Sequence, residues 1–254
     1  MNLSDWKTGF TDTLRESGVN EGQTILVHSS FKAMRCPGTP DDIVDALIDA
    51  VGKSGTLAVP THTWGIVNAR QPVFDVLHSP SHVGVITETV RRRPDAVRSL
   101  HPTHSVAAIG ARSTELTACH ECNDTPCSRT SPYGRIVEWD GLIVMLGVSL
   151  LYNTTYHGVE EWAGVPWVFQ PGVKENLYTI NKDGNRIHVP SFRHAEHDRA
   201  FIETEQDLER EGIMRRIPWV EKSILIVSAK PMAEYVGQRL MKDSNYLLTE
   251  PFII

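Results

Sequence analysis

Three segments of this chain concentrate the side chains that move protons and hold oxyanions. In the segment Asn153-Thr-Thr-Tyr-His157-Gly-Val-Glu160-Glu161 a histidine precedes two carboxylates by three and four residues. On a helix those positions share a face, so one carboxylate can accept the imidazole N–H. That fixes the ring tautomer and raises the basicity of the free nitrogen, as a general base requires. A first-turn histidine beside solvated carboxylates is the bland alternative, and spacing leaves open whether Glu160 or Glu161 faces the ring. His157-x-x-Glu-Glu also approaches a zinc-peptidase pattern, but the second histidine is missing, which ranks metal hydrolysis low.

The second segment, Arg98-Ser-Leu-His101-Pro-Thr103-His104-Ser105, carries two histidines around a proline. Pro102 rules out an early helical turn with both rings on one face. A loop presenting Thr103, His104 and Ser105 to a ligand is the natural reading, with one of the two histidines structural. In the third segment, Ser131 precedes Pro132 and Gly134. It could donate to a developing oxyanion or cap a helix beginning at Pro132. Two strand ends add hydroxyls and backbone N–H groups suited to a phosphate or a pantetheine amide: His28-Ser29-Ser30 and Gly55-Thr56. No Gly-rich loop of the Walker or Rossmann kind accompanies them, which disfavours an ATPase or an NAD enzyme. Cys119-His120-Glu121-Cys122 with Cys127 is a weak zinc signal, because no second Cys-x-x-Cys pair follows and Pro126 breaks the spacing. The four cysteines read as thiols rather than as a disulfide framework.

These groups need a scaffold, and its elements are legible. Leu3, Trp6, Phe10 and Leu14 give a helical face ending at Gly18. Thr24–His28 and Gly55–Pro60 are short apolar strands, with a Thr39-capped helix between them closed by Gly52. A helix is expected over Ser81–Arg93, a strand around Ser105–Ile109 and a buried strand over Leu142–Gly147. Tyr156–Trp162 opens a helix that Pro166 ends. Asp183-Gly184 joins two strand runs in a hairpin, His197–Glu211 reads as a charged helix, Ile224–Ser228 as a late strand and Pro231–Lys242 as a closing helix. Strands alternating with helices, then a late antiparallel hairpin, specify an α/β protein: one domain over 1–254 with a mixed sheet flanked by helices.

Composition narrows the partners. A chain of 254 residues, 41% hydrophobic and 22% charged, is ordinary for a soluble globular protein, and its net charge of −6 argues against a nucleic-acid binder. The longest apolar run, Gly141–Leu151, is shorter than the roughly 20 residues a spanning helix needs. Met-Asn-Leu-Ser-Asp-Trp-Lys has no basic-then-apolar export signal, so no membrane partner and a cytoplasmic location are expected.

As a set, Val27-His-Ser-Ser30, Gly55-Thr-Leu-Ala-Val-Pro60, Arg98–Gly110, Thr125-Pro-Cys127, Ser131-Pro-Tyr-Gly134, Leu146-Gly-Val148, Asn153-Thr154 and His157-x-x-Glu160 resemble the aminoglycoside 3-N-acetyltransferase family. The blocks keep the family's order over roughly residues 20 to 165. The resemblance implies an α/β/α acetyl-CoA-dependent N-acetyltransferase using direct transfer and no metal, with a homodimer as an open expectation. It implies His157 as the base taking a proton from the amine, oriented by a nearby carboxylate, with the His28-Ser29-Ser30 loop and the His104-Ser105 region holding pantetheine and thioester. Ser128 stands where the family has glycine, and Phe31–Gly38 lacks the usual early glycine. Ser149–Tyr156 carries no acid where drug-resistance members tend to have one, so the expected acceptors include nucleotide-linked amino sugars beside aminoglycosides. Arg91-Arg92-Arg93 and Arg129 would suit phosphates of either substrate. A metal-dependent hydrolase built on His101, His104 and the cysteines, or a non-catalytic coenzyme A- or sugar-binding relative, are the alternatives.

Overall fold

The computed structural model describes residues 2–172 and 174–252. In chain order the first half comprises α1 (Leu3–Glu16), β1 (Thr24–Ser29), α2 (Phe31–Met34), α3 (Pro40–Val51), β2 (Thr56–Pro60), β3 (Val73–Asp75), α4 (Val85–Arg92), β4 (Val97–Arg98) and β5 (Val106–Gly110). There follow α5 (Ser113–Thr117), α6 (Pro132–Glu138), β6 (Leu142–Leu146), α7 (Thr155–Ala163), β7 (Tyr178–Ile180), β8 (Arg186–His188), α8 (Glu205–Arg210), β9 (Met214–Trp219), β10 (Lys222–Ser228) and α9 (Ala229–Lys242).

Seven strands form a mixed sheet in the order β4-β5-β2-β1-β6-β10-β9. Its centre, β2-β1-β6, is parallel, and both flanks are antiparallel. The period of two along β1 sends Ile25 and Val27 to one face and Leu26 to the other; β2 repeats this with Leu57, Val59 and Ala58. One face is covered by Trp6, Phe10 and Leu14 of α1 and by the apolar stripes of α3 and α4. The other is covered by Ile136 of α6, Val159 of α7 and Val236 of α9. Burial on both faces is why β1 and β6 read as continuous apolar runs. Each fully buried Leu, Ile or Val contributes about 1.5–3 kcal/mol.

Three elements differ from the sequence expectation, and a fourth, β9, forms where the sequence reading gives no element. α4 starts at Val85, not Ser81, because Ser81 lies outside the helix with its N–H bonded to the Glu88 carboxylate at 2.9 Å and Gly84 forms the N-cap. Only Glu205–Arg210 of the expected 197–211 helix is α-helical, after a 3₁₀ turn at Ile202–Thr204. The preceding stretch is irregular, and its side chains serve the site described below. β9 forms despite Pro218 within it; it is the sheet's edge strand, where a missing N–H costs no ladder bond. The Asp183-Gly184 hairpin joins β7 and β8, with Gly184 at φ 80°, but it sits in a separate three-stranded sheet beside β3 rather than in the main sheet. Among the described residues no helix is long and apolar enough to cross a membrane.

Candidate active site

β1 leads to β2 on one side of the sheet, and β6 pairs with it on the other. Open α/β sheets bind ligands outside the carboxyl ends of strands at such a reversal. Here the ends of β1, β2 and β6 open on a cleft of about 1390 Å³ lined by His28, Ser29, Ser30, His62, His104, Asn153, Thr154, His157 and His194.

At its centre, His157 in the first turn of α7 donates from Nδ1 to Glu160 Oε2 at 2.9 Å. A carboxylate only accepts, so Nδ1 carries the proton and the Nε2 lone pair is left free. Glu160 is fully buried, and Arg199 binds it as well, Nε to Oε1 at 2.9 Å and Nη2 to Oε2 at 3.3 Å. Burial alone pushes a carboxyl upward, but the charges and hydrogen bonds of His157 and Arg199 outweigh it and hold Glu160 below the usual carboxylate range. Helical spacing leaves both glutamates available; the helix phase sends Glu161 elsewhere. Its Oε1 accepts from His194 Nε2 at 2.7 Å and from the Cys127 N–H at 2.8 Å.

His194 lies between His157, with centroids 4.7 Å apart and planes at 26°, and Phe169, 5.8 Å away and nearly parallel. Burial pushes Glu161 up to about 8 and holds His194 well below the ordinary imidazole range, so near neutrality this pair carries no net charge. His104 meets the His194 edge at 5.3 Å, and His62 packs on His104 at 4.7 Å. The cleft wall is thus a row of four imidazoles. Burial keeps His62, His104 and His194 neutral, each held well below the usual range. Of the four, only His157 has an ionised carboxylate partner among the described residues.

Two other histidines are structural. His101 Nδ1 accepts the Thr103 and His104 backbone N–H groups at 3.3 and 3.2 Å, and its Nε2 donates to Ser191 Oγ at 3.1 Å, so both nitrogens staple the loop. His120, held down at about 3 by burial, is fixed between the Ser99 hydroxyl and the Pro126 carbonyl. Arg98 ties this loop to the carbonyls of Thr61, Val76 and Ser79 without a carboxylate partner among the described residues, and burial lowers it to about 9.

Several expected ligand contacts fall away from the cleft. Thr56 begins β2 opposite Thr24, at the far end of the parallel strands from Ser29, and its hydroxyl accepts the Arg112 N–H. Ser105 is fully buried, bonded to Thr61 and Arg98. Thr103 is buried against His104. Ser131 caps α6 and donates to the Ser128 carbonyl at 2.7 Å, so its hydroxyl faces no ligand. Arg91 is engaged by Glu88, and Arg93 by Asp45 and Asp41. Arg129 stacks over Trp162 outside the cleft. Cys119 and Cys122 are exposed while Cys127 is buried, so the three thiols of the weak zinc signal do not share one environment, and all four cysteines are free thiols as expected. Among the described residues the one trio with ligand atoms within 4.8 Å is Cys127, Glu161 and His194, where Glu161 already holds its two N–H donors.

Sequence reasoning misses His194 and Arg199. They arrive far along the chain, from a stretch whose polar Phe192-Arg-His194-Ala-Glu-His197 pattern is its one local signal. The cleft also presents groups suited to a coenzyme A thioester. His28, lowered to about 3 by burial, has a buried Nε2 without a partner among the described residues, and Lys32 and Lys222 stand on the wall.

A family model for aminoglycoside 3-N-acetyltransferases matches residues 26–241. Aminoglycoside N(3)-acetyltransferase IV of Salmonella sp is 31% identical over 251 residues, 97% of this chain and 92% of that enzyme. Aminoglycoside N(3)-acetyltransferase VII of Streptomyces paromomycinus is 35% identical over 178 residues, 63% of this chain and 62% of that enzyme's length. A crystal structure of a mutant of aminoglycoside acetyltransferase AAC(3)-IVa in complex with a gentamicin superposes with a TM-score of 0.83 at 28% identity, covering 96% of this chain and 92% of that one. The chain therefore belongs to the aminoglycoside 3-N-acetyltransferase family, and is an N-acetyltransferase.

Proposed function

We propose that the protein acetylates a primary amine of an aminoglycoside or related amino sugar, with His157 as the general base. The observation that carries this is the His157–Glu160–Arg199 chain opening on a cleft large enough for two substrates. An alkyl amine is mostly protonated at neutral pH, so its lone pair must be exposed before it can attack. Glu160 fixes the His157 tautomer and stabilises the imidazolium, and Arg199 keeps Glu160 ionised despite its burial. His157 Nε2 then takes a proton from the amine nitrogen as the C–N bond forms at the thioester carbonyl. As the C–S bond breaks, the same ring returns a proton to the departing sulfur. The ammonium's other proton leaves to solvent. His28 and Ser29 line the same cleft as His157 and suit the thioester end of the donor, and Lys32 and Lys222 suit its phosphates.

A less cationic acceptor is the second reading, favoured by the charges of the cleft. Of its acids, Glu205 is engaged by Arg216 and Glu221 by Arg35, which leaves Glu196 without an ion-pair partner among the described residues. Exposed Leu151 and Tyr152 stand on the wall near His157. An aminoglycoside, with its several ammonium groups, finds little counter-charge there; a nucleotide-linked amino sugar needs no such anions.

Thiol release from acetyl-coenzyme A, measured against an aminoglycoside panel and a nucleotide-linked amino-sugar panel, separates the two. His157→Ala should fold normally and lose about 10²–10⁴-fold in turnover. Unchanged turnover would remove the base assignment, and silence of the wild type with both panels would remove the acceptor classes.

A further inference from the structure

We propose that His104 is a second catalytic residue: a neutral imidazole whose Nε2–H donates a hydrogen bond to the thioester carbonyl oxygen as negative charge develops on it. The inference rests on the acetyl-transfer reading above and assigns the electrophilic half of that site.

The tautomer follows from the loop's hydrogen bonds, worked inward from Ser191. The Ser191 hydroxyl gives its proton to the Phe192 carbonyl at 3.0 Å, so it can only accept from His101 Nε2, at 3.1 Å. His101 is therefore protonated at Nε2, and its Nδ1 lone pair already receives two backbone N–H groups, from Thr103 and His104. The Thr103 hydroxyl, 3.4 Å from that occupied nitrogen and 2.9 Å from His104 Nδ1, has one good acceptor, which is His104. His104 accepts at Nδ1 and carries its proton on Nε2.

The position suits the task. His104 lines the cleft, and among the described residues its ring is hydrogen-bonded at Nδ1. Its ring is one imidazole removed from His157, across His194. Burial, then the neighbouring His62 and His194, keeps it uncharged across the working pH range, so it serves as a fixed donor and not as an acid. A donor oriented before the reaction stabilises a developing oxyanion without reorganisation. Ser131 and Ser105, the hydroxyls that could have filled this role, are tied to Ser128, Thr61 and Arg98.

The test uses the full chain with its best amine from the panels. His104→Ala should lower kcat by about 10²–10³-fold, the usual loss for one oxyanion donor. KM for acetyl-coenzyme A should change little, and the pH profile should keep its shape. His104→Gln, whose amide N–H can reach the Nε2 position, should recover at least roughly tenfold of that loss. Long-range ¹H–¹⁵N NMR of histidine-labelled wild-type protein should show His104 protonated at Nε2, a readout that survives even if His104→Ala fails to fold. His104→Ala within about threefold of wild type, a shifted acid limb in its pH profile, or an Nδ1–H tautomer would each overturn the assignment. Loss of turnover in His157→Ala with full turnover in His104→Ala would overturn this inference alone; an inactive wild type would overturn the reading beneath it.

Discussion

Glu160→Gln separates the two tasks of the buried ion pair. In the wild type, Glu160 has no exposed surface, and the Arg199 side chain is only 6% exposed. Removing the carboxylate charge leaves Arg199 as a buried cation without a counter-ion, and breaking such a pair from one side costs about 3–5 kcal/mol. For a chain of this size each kcal/mol moves Tm by about 2–4 °C, so a drop of roughly 6–20 °C is expected in calorimetry. The same change weakens the charge-assisted bond to His157 Nδ1, worth about 1.5–3 kcal/mol, which corresponds to roughly 10–150-fold in kcat. The double variant E160Q/R199M tells these effects apart. Methionine can lie over Trp167 where the guanidinium now stacks at 4.9 Å, so most of the lost stability should return. Activity should not return, because His157 still lacks its anion. A stable double variant with restored kcat would refute the coupling of Glu160 to the chemistry, as would kcat within about twofold of wild type in the single variant.

Stability should peak near pH 6.5. His28 and His120 have folded pKa values depressed to about 3, so the stability they contribute is present above their unfolded value near 6.5 and lost as pH falls below it. Glu161 has the opposite sign: raised to about 8, it withdraws stability as pH climbs from about 4.5 through 8. Urea midpoints across about pH 5–9 should therefore fall on both sides, and Glu161→Gln should flatten the alkaline arm; a monotonic wild-type curve contradicts this. A thiol reagent should modify Cys119 and Cys122 in the native protein while Cys127 reacts only on unfolding, since Cys127 is fully buried and burial, then the Glu161 and Glu160 charges, push its thiol far up. Fast native labelling of Cys127 would show that α7 opens. Ser131→Ala should cost about 0.5–2 kcal/mol of stability as a lost helix cap and leave kcat within about twofold; a large kcat loss at unchanged stability would restore Ser131 to the chemistry.

Local patterns carry most of the scaffold because their causes are local. The stripes of α1 and α3, the apolar runs of β1, β2 and β6 and the Asp183-Gly184 turn each follow from side-chain periodicity or from a backbone preference within a few residues. The same locality exposes His157 with Glu160, because three residues on a helix are neighbours in space. Local signals also conflict with the outcome: Pro218 sits in a strand that is tolerated at the sheet edge, and the charged 197–211 segment has a helical pattern where it supplies Arg199 to the site.

The class of scaffold, the best candidate base and the loops that carry the chemistry are all written in the order of the residues. Which groups meet is a matter of packing. Parallel pairing of β1 with β2 sends His28 to the cleft and leaves Thr56 at the opposite end, although both stand at strand ends along the chain. The phase of α7 against the 190–201 segment brings Glu160 to His157 and Arg199, and Glu161 to His194. The hydrogen-bond circuit from Ser191 through His101 and Thr103 makes His101 a staple and aims the His104 N–H into the cleft. The long-range partners in these networks lie 33 to 90 residues apart, and no periodicity within a window of local sequence encodes which of them share a proton.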